Sequence, residues 1–248
     1  MSTNVLDVVS PAAVKQTRDR LIVALDVPSA DAARRLVSQL GGSVGMFKVG
    51  LQLFTAEGPG LVRELVRDGH RVFLDLKLHD IPNTVSHAVR SAADLGVSML
   101  TVHASAGADG LQAAVEAAES RLAVVAVTVL TSFSDQDMQG IGVSHPVAEQ
   151  VMHLAALARA AGCAGVVTSP RETAQVRRAQ GAGFAIVNPG VRPAGSQKDD
   201  QERTATPGET IRSGATYVVV GRPITKAPDP AKAAYEIVQE METAVSGS

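Results

Sequence analysis

Four charged residues fall at the C-terminal ends of short apolar runs. Asp26 follows Leu21–Leu25, Lys48 lies in Gly45–Val49, and Asp75 and Lys77 lie in Phe73-Leu74-Asp75-Leu76-Lys77-Leu78-His79-Asp80. Side chains alternate along a strand, so Asp75 and Lys77 share one face while Leu74, Leu76 and Leu78 share the other. With the leucines packed against an outer layer, both charges point to the inside of the sheet. A buried charge is costly unless it is paired, and these four can offset one another in an alternating array of signs. A structural salt-bridge network would use the same residues. Their common placement at C-terminal strand ends, where α/β enzymes house their chemistry, favours a functional reading.

An ammonium flanked by carboxylates keeps its proton. It is then an acid and a poor Schiff-base nucleophile. Lys77 is therefore expected to protonate something, and a carbanion left by loss of carbon dioxide is a suitable acceptor. Asp75 would sit beside the departing carboxylate, where repulsion raises the energy of the ground state. Asp80 lies beyond the strand, before Ile81-Pro82-Asn83-Thr84. On the residues alone it reads as a turn or helix-cap carboxylate.

A second group of residues suits a phosphate. Val218-Val219-Val220-Gly221-Arg222-Pro223-Ile224-Thr225 runs from strand into loop. Gly221 permits close approach of backbone to an anion, and Arg222 can grip phosphate oxygens through two nitrogens. Arg192 and Gln201, on the long segment Asn188 to Pro207, can close over the same group. Thr131 and Ser132 offer hydroxyls to a polar ring edge, or simply form a turn. His79, His87, His103, His145 and His153 show no ligand spacing that stands out. His103 ends a strand and reads as a satisfied structural histidine.

These residues need elements to hold them, and the pattern is regular. Strands are expected at Leu21–Leu25, Gly45–Val49, Val72–Leu76, Met99–Val102, Ala123–Val127, Gly165–Thr168, Ala185–Val187 and Tyr217–Val220. Each is a short run rich in β-branched residues and bounded by turn formers. Helical patterns lie between them, most clearly at Ser29–Leu40, Thr84–Leu95, Gly110–Ala118, Pro146–Ala161, Arg171–Arg178 and Asp229–Met241. Glycines at 41–42, 69, 96, 162 and 214 read as helix C-caps. Eight strands alternating with helices predict a single-domain α/β chain, a (β/α)8 TIM barrel, with residues 1–18 as an N-terminal extension and 19–248 as the barrel. The long segment after strand seven is expected to be a lid or binding loop.

Composition agrees. Of 248 residues 45% are hydrophobic but only 3% aromatic, and there is no Trp, so Val, Leu, Ile and Ala must fill the core. A net charge of −2 points to neither nucleic acid nor an acidic membrane surface. No apolar run approaches the roughly 20 residues of a membrane span. One cysteine, Cys163, and no signal-like N-terminus suggest a cytoplasmic protein.

With these motifs in place, the chain closely resembles the orotidine 5′-phosphate decarboxylase family in its bacterial form. The resemblance rests on Asp75-Leu76-Lys77-Leu78-His79-Asp80-Ile81-Pro82-Asn83-Thr84-Val85. It extends through Leu25-Asp26-Val27, Lys48-Val49-Gly50, Thr128 to Ser132, Pro189 to Pro193, Asp200-Gln201 and Val220 to Thr225. It implies decarboxylation of orotidine 5′-phosphate to UMP, the last step of de novo UMP synthesis, by a homodimer without metal or organic cofactor. It also implies residue roles. Lys48, Asp75 and Lys77 would form a catalytic array, completed by Asp80 lent from the partner, which reverses the turn reading. Asp26, Lys48, Asp80 and Thr84 would reach the ribose, and Ser132 with Thr131 the pyrimidine. Arg192, Gln201, Gly221 and Arg222 would hold the phosphate.

Two rivals differ in one feature each. Related barrels acting on keto-sugar phosphates are metal-dependent and carry Glu where this chain has Lys48, and a lysine there would repel Mg²⁺. A non-catalytic nucleotide-binding barrel would need no proton donor, so Asp75, Lys77 and Asp80 speak against it.

Overall fold

The computed structural model describes residues 14–193 and 205–246. Eight parallel strands close into a barrel in sequential order, β1 Leu21–Ala24, β2 Met46–Gly50, β3 Val72–Leu78, β4 Met99–His103, β5 Ala123–Val127, β6 Gly165–Val167, β7 Ala185–Asn188 and β8 Tyr217–Val220. The expected (β/α)8 fold is thus observed, with β8 pairing back onto β1.

Strand alternation divides the apolar residues into two cores. Ile22, Ala24, Met46, Phe73, Met99, Val125, Val187 and Val219 fill the barrel interior. Leu21, Val23, Phe47, Val49, Leu74, Leu100, Val218 and Val220 face the helices in the larger outer core. Leu76 and Leu78 pack against that outer core, as the leucine alternation requires.

The helices behind the strands are α1 Ala30–Leu40, α2 Leu51–Arg67, α3 Pro82–Asp94, α4 Gly107–Ala118, α5 Asp135–Gly140, α6 Val147–Ala160, α7 Thr173–Gln180, α8 Pro207–Arg212, α9 Arg222–Thr225 and α10 Pro230–Ser246. The glycines expected as C-caps have positive φ, except Gly42, which follows the cap Gly41 in a 3-10 turn. Helix α2 was not among the clear sequence patterns because Gly58-Pro59-Gly60 interrupts its period; the backbone at Gly58 is non-helical (φ 65°, ψ −164°). The long segment expected between Asn188 and Pro207 lies between β7 and α8, and its described ends are pinned to each other. Val191 bridges Ala205, and Arg192 N–H donates to the Ala205 carbonyl at 3.1 Å. The Thr206–Glu209 capping box then starts α8.

The base of the barrel, at the N-terminal ends of the strands, is closed by side chains. Arg177 donates to the carbonyls of Gly214 (2.9 Å), Gly181 (2.6 Å) and Phe184 (2.7 Å) and to Thr216 Oγ1 (3.1 Å). Gly214 has φ 99°, and a Cβ there would lie 2.7 Å from Arg177 Cγ. Tyr217 is fully buried; burial pushes its hydroxyl pKa up, with Arg71 and Arg20 acting in the other direction. A 3-10 turn at Thr17–Arg20 caps this end, so the boundary expected at residue 18 falls inside an ordered turn. Arg20 donates from there to the Ala215 carbonyl at 3.3 Å.

Candidate active site

At the opposite end, where the strands finish, a cavity of about 510 Å³ opens over the interior core. Asp26, Lys48, Asp75 and Lys77 line it, and they form one continuous chain of opposite charges. Lys48 Nζ lies 3.0 Å from Asp26 Oδ1 and 3.5 Å from Asp75 Oδ2. Lys77 Nζ donates to both Asp75 oxygens at 2.9 Å. The alternating array expected from the sequence is therefore built, within hydrogen-bond range at three of its four contacts.

Burial differs along that chain in a way that matters for reactivity. The side chains of Lys48 and Asp75 are 10% and 12% exposed, whereas Lys77 is 30% exposed and faces the cavity. Burial works against the Asp75 carboxylate. The charges of Lys48 and Lys77, with hydrogen bonds from Lys77 and Thr101, outweigh it and hold the carboxyl below its ordinary pKa. Asp75 is thus an anion locked behind an ammonium that looks outward.

Local backbone makes this geometry. The register between β3 and β4 shifts between Leu74 and Leu78, and Lys77 adopts φ 51°. A left-handed conformation is unusual for a residue with a Cβ and needs support from its surroundings. Thr101 on β4 supplies it. Its Oγ1 accepts from the Lys77 amide at 2.8 Å and donates to Asp75 Oδ1 at 3.0 Å. Sequence reasoning missed Thr101. The available signal was its parity: it shares the inward face of β4 with Met99 and His103. Gly50 was noticed only as part of a motif. A Cβ at that position would lie 2.8 Å from Lys48 Nζ and 3.1 Å from Asp26 Oδ1, so only glycine leaves the ammonium its place.

The remaining expected residues divide. Thr131, Arg192, Gly221 and Arg222 line the same cavity. Thr225 and Lys226 join them, and Lys226 was not anticipated. Ser132 is exposed and is not among the lining residues. Asp80 and Thr84 are also exposed and do not line the cavity; Asp80 Oδ1 accepts from the Ile81 amide at 2.7 Å. Within a single chain, then, Asp80 makes the turn contact, and the exposed Ile81 beside it carries an apolar side chain into solvent. Gln201 lies outside the described residues. His103 is half-buried near His79, with ring centroids 5.4 Å apart. Burial, then the neighbouring His79 and Lys77, lower its pKa.

A barrel whose mouth carries this charge chain and a ring of cations after β7 and β8 has known relatives. The model of the Orotidine 5′-phosphate decarboxylase / HUMPS family matches residues 19–237. This chain belongs to that family. Orotidine 5′-phosphate decarboxylase of Moorella thermoacetica is 52% identical over 234 residues, covering 91% of this chain and 93% of its own. That of Anaeromyxobacter sp. strain K is 52% identical over 219 residues, covering 88% and 96%. The crystal structure of the Lactobacillus acidophilus enzyme superposes with a TM-score of 0.80 at 36% identity, covering 89% of this chain and 98% of that one. The enzyme class expected from the sequence, a carboxy-lyase of the orotidine 5′-phosphate decarboxylase type, is borne out by these relatives. Among the described residues no helix is long and apolar enough to cross a membrane.

Proposed function

We propose that this chain converts orotidine 5′-phosphate to UMP and carbon dioxide, with Lys77 delivering the proton. The observation that carries the reading is the outward-facing Lys77 ammonium held at 2.9 Å by both oxygens of the more deeply buried Asp75. In the proposed step the bond from C6 to the carboxylate breaks, carbon dioxide leaves, and the electron pair stays on C6. A proton from Lys77 Nζ forms the new C6–H bond, and solvent restores the ammonium. The Lys77 charge stabilises the developing carbanion before it transfers the proton. Asp75 keeps that charge in place and opposes a carboxylate in the ground state.

Arg192 and Arg222, with the Gly221 backbone and Gln201, take the phosphate at the other end of the ligand. Binding energy gathered there, far from the reacting carbon, can stabilise the transition state through closure of the site. Asp26 and Lys48 take the ribose, and Thr131 and Ser132 the pyrimidine edge. Asp80 and Thr84 act across a homodimer interface. Their exposure and that of Ile81 on one chain are what such a loan requires. Residues 19–248 form the catalytic unit, in the cytoplasm, with 1–18 as an extension.

Lys48 disfavours the metal-dependent rival, since its ammonium already sits between the two carboxylates that would have to bind Mg²⁺. The deciding experiment mixes the protein with orotidine 5′-phosphate in the presence of EDTA and follows the loss of ultraviolet absorbance. Turnover with release of UMP is the expected result. Absence of turnover by folded, dimeric protein, or turnover that EDTA abolishes, would overturn the reading.

A further inference from the structure

A second cluster of donor atoms lies outside the cavity, where the connection from β5 enters α6. His145 immediately precedes Pro146, the N-cap of α6, and Glu149 and His153 follow one and two turns along the same face. Spacing alone does not mark the two histidines as ligands, because they are eight residues apart and His145 lies before the helix. The fold brings them together. His145 Nδ1 is 3.1 Å from Glu149 Oε1, and His153 Nε2 is 4.0 Å from that same oxygen. The two rings meet edge to face with centroids 4.9 Å apart. One ligand atom from each of the three residues lies within 4.8 Å of the other two.

We propose that His145, Glu149 and His153 form a surface site for a divalent metal ion of the zinc class. Zinc bonds of ~2.0–2.1 Å in a tetrahedron put donor atoms about 3.3 Å apart. The present spacings need to contract by no more than about 1.5 Å, which exposed side chains achieve by small rotamer adjustments. Two imidazoles and one carboxylate suit zinc, nickel or copper and not magnesium or calcium, which take oxygen ligands. Three protein ligands leave the fourth position to water. The bound ion would tie the end of the connection that begins beside Thr131 to the first turns of α6. It takes no part in decarboxylation.

The test uses full-length protein freed of metal with EDTA and then dialysed. Zinc is titrated in competition with a chromophoric chelator, and cobalt is added separately for its ligand-field spectrum. One equivalent of zinc per chain is expected, at micromolar affinity, with a four-coordinate cobalt spectrum and no competition from magnesium. His145→Gln and His153→Gln should each weaken binding tenfold or more while leaving circular dichroism and turnover of orotidine 5′-phosphate unchanged. Failure to bind a stoichiometric equivalent, or equal affinity in the doubly substituted protein, would overturn the site. Since turnover is read separately, that failure is distinct from failure of the proposed reaction.

Discussion

At the base of the barrel Arg177 gives its guanidinium to three backbone carbonyls and a threonine hydroxyl. At the mouth Lys48 and Lys77 give their ammonium groups to carboxylates, and Lys77 still faces open space. Both ends therefore hold cations at strand termini, yet they do different work. The base cation completes hydrogen bonds that the turns after α7 and α8 cannot make for themselves. The mouth cations are held by side-chain carboxylates, and Lys77 keeps a face open to the cavity. A charged group held at the strand ends thus marks a site here where its partners are themselves ionic and a cavity lies over it, as for Lys77 and not for the guanidinium that Arg177 sends in from α7.

Substitutions at the two ends should separate along this line. Lys77→Ala has the largest expected effect on activity. Loss of a general acid alone costs about 10²–10⁴-fold in kcat, and loss of the ammonium charge adds to it. UMP binding by calorimetry should persist, and near-normal kcat would erase the distinction between mouth and base.

Asp75→Asn comes next, because it leaves Lys48 and Lys77 facing each other without their shared counter-ion. We expect kcat to fall by roughly 10²-fold or more and stability to fall as well. It should also change the acid limb of unfolding. The unfolded carboxyl takes its proton near pH 3.9, but the folded one does so only at lower pH. The stabilisation is therefore complete above about pH 4 and is lost as pH falls through the folded pKa. Denaturant melts below about pH 4 should be less pH-dependent in the variant than in the parent, and identical slopes would contradict the geometry.

Arg222→Ala should lower kcat/KM by about 10–100-fold, the size of one or two charge-assisted hydrogen bonds. Steady-state kinetics with kcat and KM resolved will show whether phosphate binding contributes to turnover. Thr101→Val keeps shape and removes both hydrogen bonds at Lys77 and Asp75. Roughly a tenfold loss in kcat with little change in KM is expected, and Thr101→Ser should restore most of it. The smallest effect on activity belongs to Arg177→Met. It should lower stability by about 1–3 kcal/mol by leaving part-buried carbonyls unpaired, while kcat/KM at 25 °C stays within about twofold. A large kinetic defect there would show that the base also governs the chemistry.

Much of this was readable in the residues. The eight strands emerged because each is a short β-branched run, and the charge chain because alternation forces Asp75 and Lys77 to one face. The kinked α2 was obscured by Gly58 and Pro59, and the four-residue α9 is too short to have a period. Thr101 carried no charge to draw notice, and its role depends on a register shift that no local pattern encodes. The His145–Glu149–His153 cluster depends on how the chain enters α6, which sequence spacing alone does not specify.

Gly50 carries a consequence for how such a pocket tolerates change. The missing carbon at this position is the space in which the Lys48 nitrogen rests between two acids. An alanine there alters neither polarity nor charge, and by size alone it would pass as harmless. It would nevertheless crowd the Lys48 nitrogen where it meets Asp26, and that end of the side chain would have to shift. The electrostatic wiring of this barrel is thus guarded by a residue with no functional group of its own.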